Sequence, residues 1–387
     1  MKRSVFLVGV TILFVTGAVN LQAPLYGVYA ERAGVGHGVK SLAFAAYVLG
    51  LIPVLVLLGG VSDRIGRKQC LLMGVALSCA ATLSVTLFPG LPALVPARVL
   101  QGMAVGLTVG TGTAYISDLL GDQPARAARI AAPMSALGFG GGALMTTFAL
   151  IANRSLVPVT YPIMIVAIAT VGVAVGVLCP WLPAQGGALL RLPLIRRDML
   201  SSGLAIGTAW AVSGLVVAVI PAQLARYDLA LWSGPVLFLV NAAGVAVQPF
   251  VRRMTSRRAL CTGLVVVPIG YALLVVGAAQ RSIVAALLGA CVAGTGCYGF
   301  TYLGGLSRVS ESAGGQKARA IAGYFLCAYV GFGLPSVVVG YAADGVGLAP
   351  ALGAFGVVLL AACFAVGLLL AQERPAAVKV AVGRVAR

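Results

Sequence analysis

The chain has 387 residues, of which 60% are hydrophobic and 9% charged. A soluble domain carries roughly a quarter charged residues, so this composition excludes one. The net charge of +18 would suit a nucleic-acid partner. The basic residues instead occupy short segments between apolar runs, where topology and anionic lipid account for them, and no nucleic-acid partner is expected.

A bilayer core of about 30 Å takes roughly 20 apolar residues per helix. Twelve segments of that size follow one another: 4–29, 41–61, 70–88, 92–117, 131–152, 157–181, 199–223, 229–250, 259–279, 282–307, 319–342 and 347–371. The sequence therefore predicts an all-α polytopic membrane protein. Met1-Lys2-Arg3 ahead of an apolar run could open a signal peptide. With an even helix count and basic residues at both ends, it reads as a retained first helix.

In chain order, the first helix carries Asn20 and Tyr26 near mid-depth and Glu31 near its far end. His37 falls in the next loop, where it is expected to be solvated. The second loop reads Gly59-x-x-x-Asp63-Arg64-x-Gly66-Arg67-Lys68. Its tightness calls for Gly66, and Asp63 can accept N–H groups at a helix N-terminus. The fourth helix holds Arg98, the only basic residue inside a span, then Gln101 and the stripe Gly102, Gly106, Gly110. Seven residues in from the helix start, Arg98 lies roughly 10 Å deep. Arg98 must meet carbonyls, water, a carboxylate or an anionic ligand. Both a ligand or coupling role and a structural role are open. The fifth helix carries Gly138 through Gly142 with one interruption, Phe139.

The linker 182–198 is the longest break without an apolar run and follows six helices. It divides the chain into a bundle over 1–181 and a second over 199–372, with a basic tail over 373–387. The halves echo each other at an offset of about 190 residues: Ala127-Ala128-Arg129-Ile130-Ala131 answers to Ala318-Arg319-Ala320-Ile321-Ala322. Six-helix repeats of this kind are a transporter plan. The second half supplies Trp210, Asn241, Thr295, Tyr298, Tyr302 and Tyr329 near mid-depth, and Gly331, Gly333 and Pro335 in the eleventh helix. Each aromatic or polar residue is as readily packing as cavity lining. The glycines let helices approach closely in lipid, and in a moving protein the same smooth faces could slide.

Placing the N-terminus inside puts twenty-one Lys and Arg on the cytoplasmic side and five outside. The positive-inside rule then makes both termini cytoplasmic, in a bacterial inner or plasma membrane. The eight cysteines form no CxxC pair and no metal framework, so neither metal nor cofactor is expected. No GxxxxGK[ST] occurs, and the single histidine cannot complete a hydrolase triad, so no enzyme is expected.

The second loop resembles the signature loop of the major facilitator superfamily, and Arg98-x-x-Gln101-Gly102-x-x-x-Gly106 resembles its fourth-helix motif. The resemblance implies that Asp63 caps the cytoplasmic start of the eleventh helix and latches the outward-facing state. It also implies that Arg67 pairs with Asp118. In the second half Arg252 stands where Asp63 would repeat, so the latch is expected on one side only. Drug/proton antiporters of the superfamily carry Pro after the glycines of the fifth helix. Here Gly142 is followed by Ala143, which weakens that reading.

All nine acids fall at helix ends or in loops, so no buried proton carrier is visible, and Glu31 is the coupling candidate. The expected protein is an alternating-access secondary transporter exporting a small organic solute. An uptake permease or a non-transporting receptor of the same fold are the alternatives. Its expected partners are the solute, protons and membrane lipids, and it is expected to be monomeric.

Overall fold

The computed structural model describes residues 2–57, 60–183, 186 and 192–373. Gly59, residues 184, 185 and 187–191 of the central linker, and nearly all of the basic tail lie outside the described residues. Among those described, twelve helices are long and apolar enough to cross a membrane. They are α1 Lys2–Arg32, α2 His37–Val56, α3 Arg67–Leu87, α4 Leu91–Leu119, α5 Pro124–Ala152 and α6 Thr160–Leu178 in the first half. The second half has α7 Arg197–Ala218, α8 Ala230–Val251, α9 Ser256–Ala279, α10 Ile283–Ser312, α11 Lys317–Val346 and α12 Leu348–Gln372. Hydrocarbon offers no partner to backbone N–H and C=O groups, so each crossing must satisfy its own.

Two helices depart from the regular form expected of them. α1 is regular to Val19, passes through a 3₁₀ turn at Ala23–Leu25, and resumes at Tyr26–Arg32. Pro24 explains the break: it lacks an N–H and disfavours helical geometry in the residue before it. α10 contains a π-helical stretch, Thr295–Thr301. There Thr301 Oγ1 donates to the Gly296 and Cys297 carbonyls at 2.7 and 2.9 Å.

Two expected loop positions are helical. α2 begins at His37, four residues before the predicted start, because Asp344 binds its first amides. His37 is thus half-buried at a helix start rather than solvated in a loop, and Lys40 is buried in the first turn. α5 begins at Pro124, seven residues before the predicted start. Proline suits this position because the first N–H groups of a helix have no intrahelical partner.

The glycine stripes are contact surfaces. A Cβ on Gly102 would overlap the Tyr47 carbonyl oxygen, and one on Gly106 would press on Val54, so α4 lies directly on α2. Gly138 and Gly142 meet α1 at Leu13, Thr16 and Gly17, and Gly331 meets α7 at Gly207. Gly110 faces open space. Gly66, at φ 104°, occupies a conformation that other residues adopt only at a cost and turns the chain into α3.

α1–α6 and α7–α12 form two six-helix bundles. α1 and α7 are the most enclosed helices, with 72% and 78% of their apolar windows buried, against 22% for α12. The large exposed apolar side chains, such as Phe6, Leu49, Phe88, Val177 and Phe364, form the lipid-facing surface. The bundles meet along α2 with α11 and α5 with α8. On α5 and α8, Gly140 lies against Phe238, and Gly234 against Thr147.

Candidate functional site

Between the bundles lies a narrow cavity of about 40 Å³. The first bundle contributes Asn20, Tyr47, Arg98 and Phe139. The second contributes Trp210, Ser213, Asn241, Tyr298, Tyr329 and Phe332. Six residues singled out in the sequence therefore share this space: Asn20, Arg98, Trp210, Asn241, Tyr298 and Tyr329.

The other four candidates stand behind the wall. Tyr26 packs edge-on against Phe44, with ring centroids 6.5 Å apart. Gln101 supports Arg98 from below. Thr295 donates to its own helix at Val292, 2.8 Å away. Tyr302 stacks on Trp210 with the rings 10° from parallel and 6.5 Å apart. Tyr47, Ser213 and Phe332 were not foreseen. Only their place on the cavity wall marks them, and an apolar helix gives no sign of this in its own sequence.

Arg98 is fully buried. Its Nη1 donates to the Val19 carbonyl at 2.8 Å and to Gln101 Oε1 at 3.1 Å, and its Nε reaches the Phe44 carbonyl at 3.4 Å. Gln101 in turn accepts from Gln22 Nε2 at 2.8 Å and donates to the Ala18 carbonyl at 3.2 Å. The break in α1 frees carbonyls near Val19, and the guanidinium takes one of them. The guanidinium carbon also lies 5.3 Å from the Phe44 ring centre and 4.8 Å from that of Tyr47.

The opposite wall is an aromatic cluster centred on Trp210, which contacts Tyr298, Tyr302, Phe325, Tyr329 and Phe332 at 5.2 to 6.5 Å. Trp210 Nε1 and Asn241 Oδ1 are buried with no hydrogen-bond partner. Asn241 Nδ2 is engaged with the Leu237 carbonyl at 2.9 Å. Asn20 Nδ2 donates to the Phe139 carbonyl at 2.9 Å.

The cavity is covered on the face opposite the termini. There the Asp344 carboxylate, in the last turn of α11, accepts from His37 N–H at 2.6 Å and Gly38 N–H at 2.8 Å. These are the first amides of α2, where the helix dipole favours an anion. Nearer the cavity, Gly340 packs on Ser41 and Gly333 on Val48. Rings then close the seam, with Phe44 and Phe332 centroids 5.1 Å apart and Tyr47 and Tyr329 6.4 Å apart. Pro335 sits between these contacts inside an unbroken α11. Glu31 is exposed on the same face, away from the cavity.

On the termini face, the loop after α2 forms a short helix, Val61–Ile65. Arg67 is its hub: it pairs with Asp63, donates from Nε to Asp118 Oδ2 at 3.1 Å, and donates to Ser62 at 2.6 Å. Lys68 is buried, donates to the Cys179 carbonyl at 2.8 Å and lies 4.3 Å over the Trp181 ring. Arg64 is exposed. The loop thus ties α3 to α4 and α6 within the first bundle.

The sequence matches the family described as Major Facilitator Superfamily over residues 7–332. Over 123 residues it is 29% identical to the 3-(3-hydroxy-phenyl)propionate transporter of Escherichia coli (strain K12). That match spans 29% of this chain and 30% of the relative's length. Among solved structures, the nucleoside transporter NupG superposes with a TM-score of 0.78 at 13% identity, covering 95% of this chain and 99% of the other. The human organic anion transporter MFSD10 (TETRAN) superposes with a TM-score of 0.61 at 16% identity, covering 94% and 99%. At these identities the structural likeness is one of fold.

Proposed function

We propose that the chain, which belongs to the major facilitator superfamily and transports a small solute, exports an organic molecule by alternating access across a bacterial inner membrane. Both termini are cytoplasmic in this reading. The observation that carries it is the cavity at the seam of two bundles, lined from both and covered on one face by α2 with α11 and α5 with α8. Rocking the bundles about that cavity exchanges the covered face. The names of the relatives favour an organic solute: a hydroxyphenylpropionate, a nucleoside and an organic anion are all small and bear polar groups. The outward direction rests on the loop motif around Asp63, which resembles that of efflux members, and on the short central linker.

A strain lacking the chain tests direction. Loaded with a panel of amphiphilic compounds, it is expected to retain more of the transported one than the parent strain does. Lower retention would instead identify an uptake permease. Binding without flux in proteoliposomes would identify a receptor.

In the same reading protons drive transport, and the loop residues Asp63, Arg67 and Asp118 bias the cycle from the cytoplasmic side. Among the described residues no carboxylate lines the cavity. A proton carrier must therefore act from a gate, and Glu31 is the candidate on the outer face. Because Glu31 lies away from the cavity, Glu31→Gln is expected to harm pH-driven flux less than Arg98→Ala. The two variants are compared in one flux assay with and without a pH gradient. If Glu31→Gln alone abolishes the pH-driven component, the carrier is Glu31.

A further inference from the structure

We propose that the solute is an organic anion bearing an aromatic ring, with its carboxylate seated against Arg98. This rests on the reading of the cavity as the transport site and names what that site takes.

The argument begins with charge. An arginine keeps its proton at any physiological pH. A buried, unpaired charge is costly and persists only where something compensates it. Arg98 is fully buried within α4, yet its hydrogen-bond partners are all neutral: two backbone carbonyls and one amide oxygen. Among the described residues no carboxylate lies within salt-bridge distance of it, whereas Arg67 has two. The rings of Phe44 and Tyr47 offer their faces to the cation, which softens the cost without cancelling the charge. Arg98 is one of the residues that border the cavity. A cationic solute would be repelled there and a neutral one would leave the charge uncompensated. An anion completes the pair, and a carboxylate matches the guanidinium fork in shape.

The far wall supplies the rest of the outline. Trp210, Tyr298, Tyr329 and Phe332 present ring faces and edges to the same space, and aromatic rings pack on such surfaces by offset or edge-on contacts. Trp210 Nε1 is a donor without an acceptor, and Asn241 Oδ1 an acceptor without a donor. Tyr47 Oη and Ser213 Oγ, which belong to residues of the same lining, are also without partners. A hydroxyl on the solute's ring is donor and acceptor at once and suits such groups. The ligand so outlined joins a carboxylate to a ring that bears a hydroxyl.

The test uses the full-length protein purified in detergent, with calorimetric titration of matched compounds. The probes are benzoate, phenylacetate and 4-hydroxyphenylacetate, the carboxamides of the same three, and benzylamine. Wild type is expected to bind at least one acid roughly 10- to 100-fold more tightly than its amide, the range for a hydrogen-bonded charge. Arg98→Lys should keep part of that preference and Arg98→Met should erase it. Trp210→Phe should remove the advantage of the ring hydroxyl while leaving the acid-to-amide ratio unchanged. If Arg98→Met does not fold, the wild-type ranking and Arg98→Lys decide. Equal binding of acid and amide, preference for the amine, or no acid binding below about 10 mM overturns the proposal, as does an unchanged preference in Arg98→Met. Flux of the same probes into proteoliposomes separates the two readings. Acid binding without flux retires the transporter and keeps the ligand class, whereas flux of amides alone does the reverse.

Discussion

Gly142→Val is expected to prevent the first bundle from assembling, whereas Gly110→Val should be nearly silent. A side chain at position 142 would overlap the carbonyl of Gly17, and one at 138 would collide with Leu13 and Thr16. These are backbone atoms and a β-branched stem, and neither can swing aside. Relief requires α5 to back away from α1 along a whole turn. Insertion of methyl groups into a packed site typically costs about 1–3 kcal/mol. Here it also forfeits the contact on which α1 is enclosed. In lipid no hydrophobic force restores it, because close packing is itself the driving force for helix association. The measurement is the monodisperse fraction in detergent and its melting temperature. Gly110, with nothing within 4 Å, supplies the control on the same kind of stripe. A Gly142→Val protein that purifies and melts like wild type would mean that α5 has another seat.

That contrast also shows which parts of this molecule are legible before folding. Gly102, Gly106, Gly138 and Gly142 declare close helix contacts through spacing alone, because in lipid only small residues permit them. The same spacing does not say which member of a stripe is used, and Gly110 is not. Arg98 and Asn20 are visible as cavity candidates because polar groups in hydrocarbon need a reason to be there. Tyr47, Ser213 and Phe332 are invisible for the converse reason: in a helix that is apolar all round, no polar face tells lipid from seam. Tyr298 and Tyr302, four apart, would share a face of a regular helix. Across the π stretch Thr295–Thr301, which bonds i to i+5, both rings still meet Trp210. Tyr298 lines the cavity and Tyr302 stacks behind Trp210. No local signal announces that stretch. Asp344 is a further case. As an acid near a helix end it looks like a solvated terminus, and its partners lie 306 and 307 residues away in the chain.

Asp344→Ala is expected to loosen the face opposite the termini without disturbing either bundle. The carboxylate holds the first two amides of α2 from the last turn of α11 and so links the two bundles across that seam. Its approach is close: a Cβ on Gly36 would meet the carboxylate at 2.5 Å, and one on Gly38 would strike the Tyr341 ring. An exposed cap of this kind is worth about 0.5–2 kcal/mol. The closed-to-open ratio of that face should therefore fall several-fold, since 1.4 kcal/mol is about tenfold. Lys40 adds to the effect. Its ammonium is buried, sits 3.3 Å from His37 Nδ1, and has Asp344 and Glu31 as its charged neighbours. Without Asp344 the closed seam must hold that cation with only Glu31 to offset it. Hydrogen exchange of the α2 amides from His37 to Ser41 reads the opening directly. They should exchange faster in Asp344→Ala and by a smaller margin in Asp344→Asn, which retains one acceptor oxygen. If Lys40 contributes as argued, Asp344→Ala combined with Lys40→Met should open less than Asp344→Ala alone, a non-additive result that only coupled residues give. Wild-type exchange in Asp344→Ala would place the closure of this face in the rings of Phe44, Tyr47, Tyr329 and Phe332 instead.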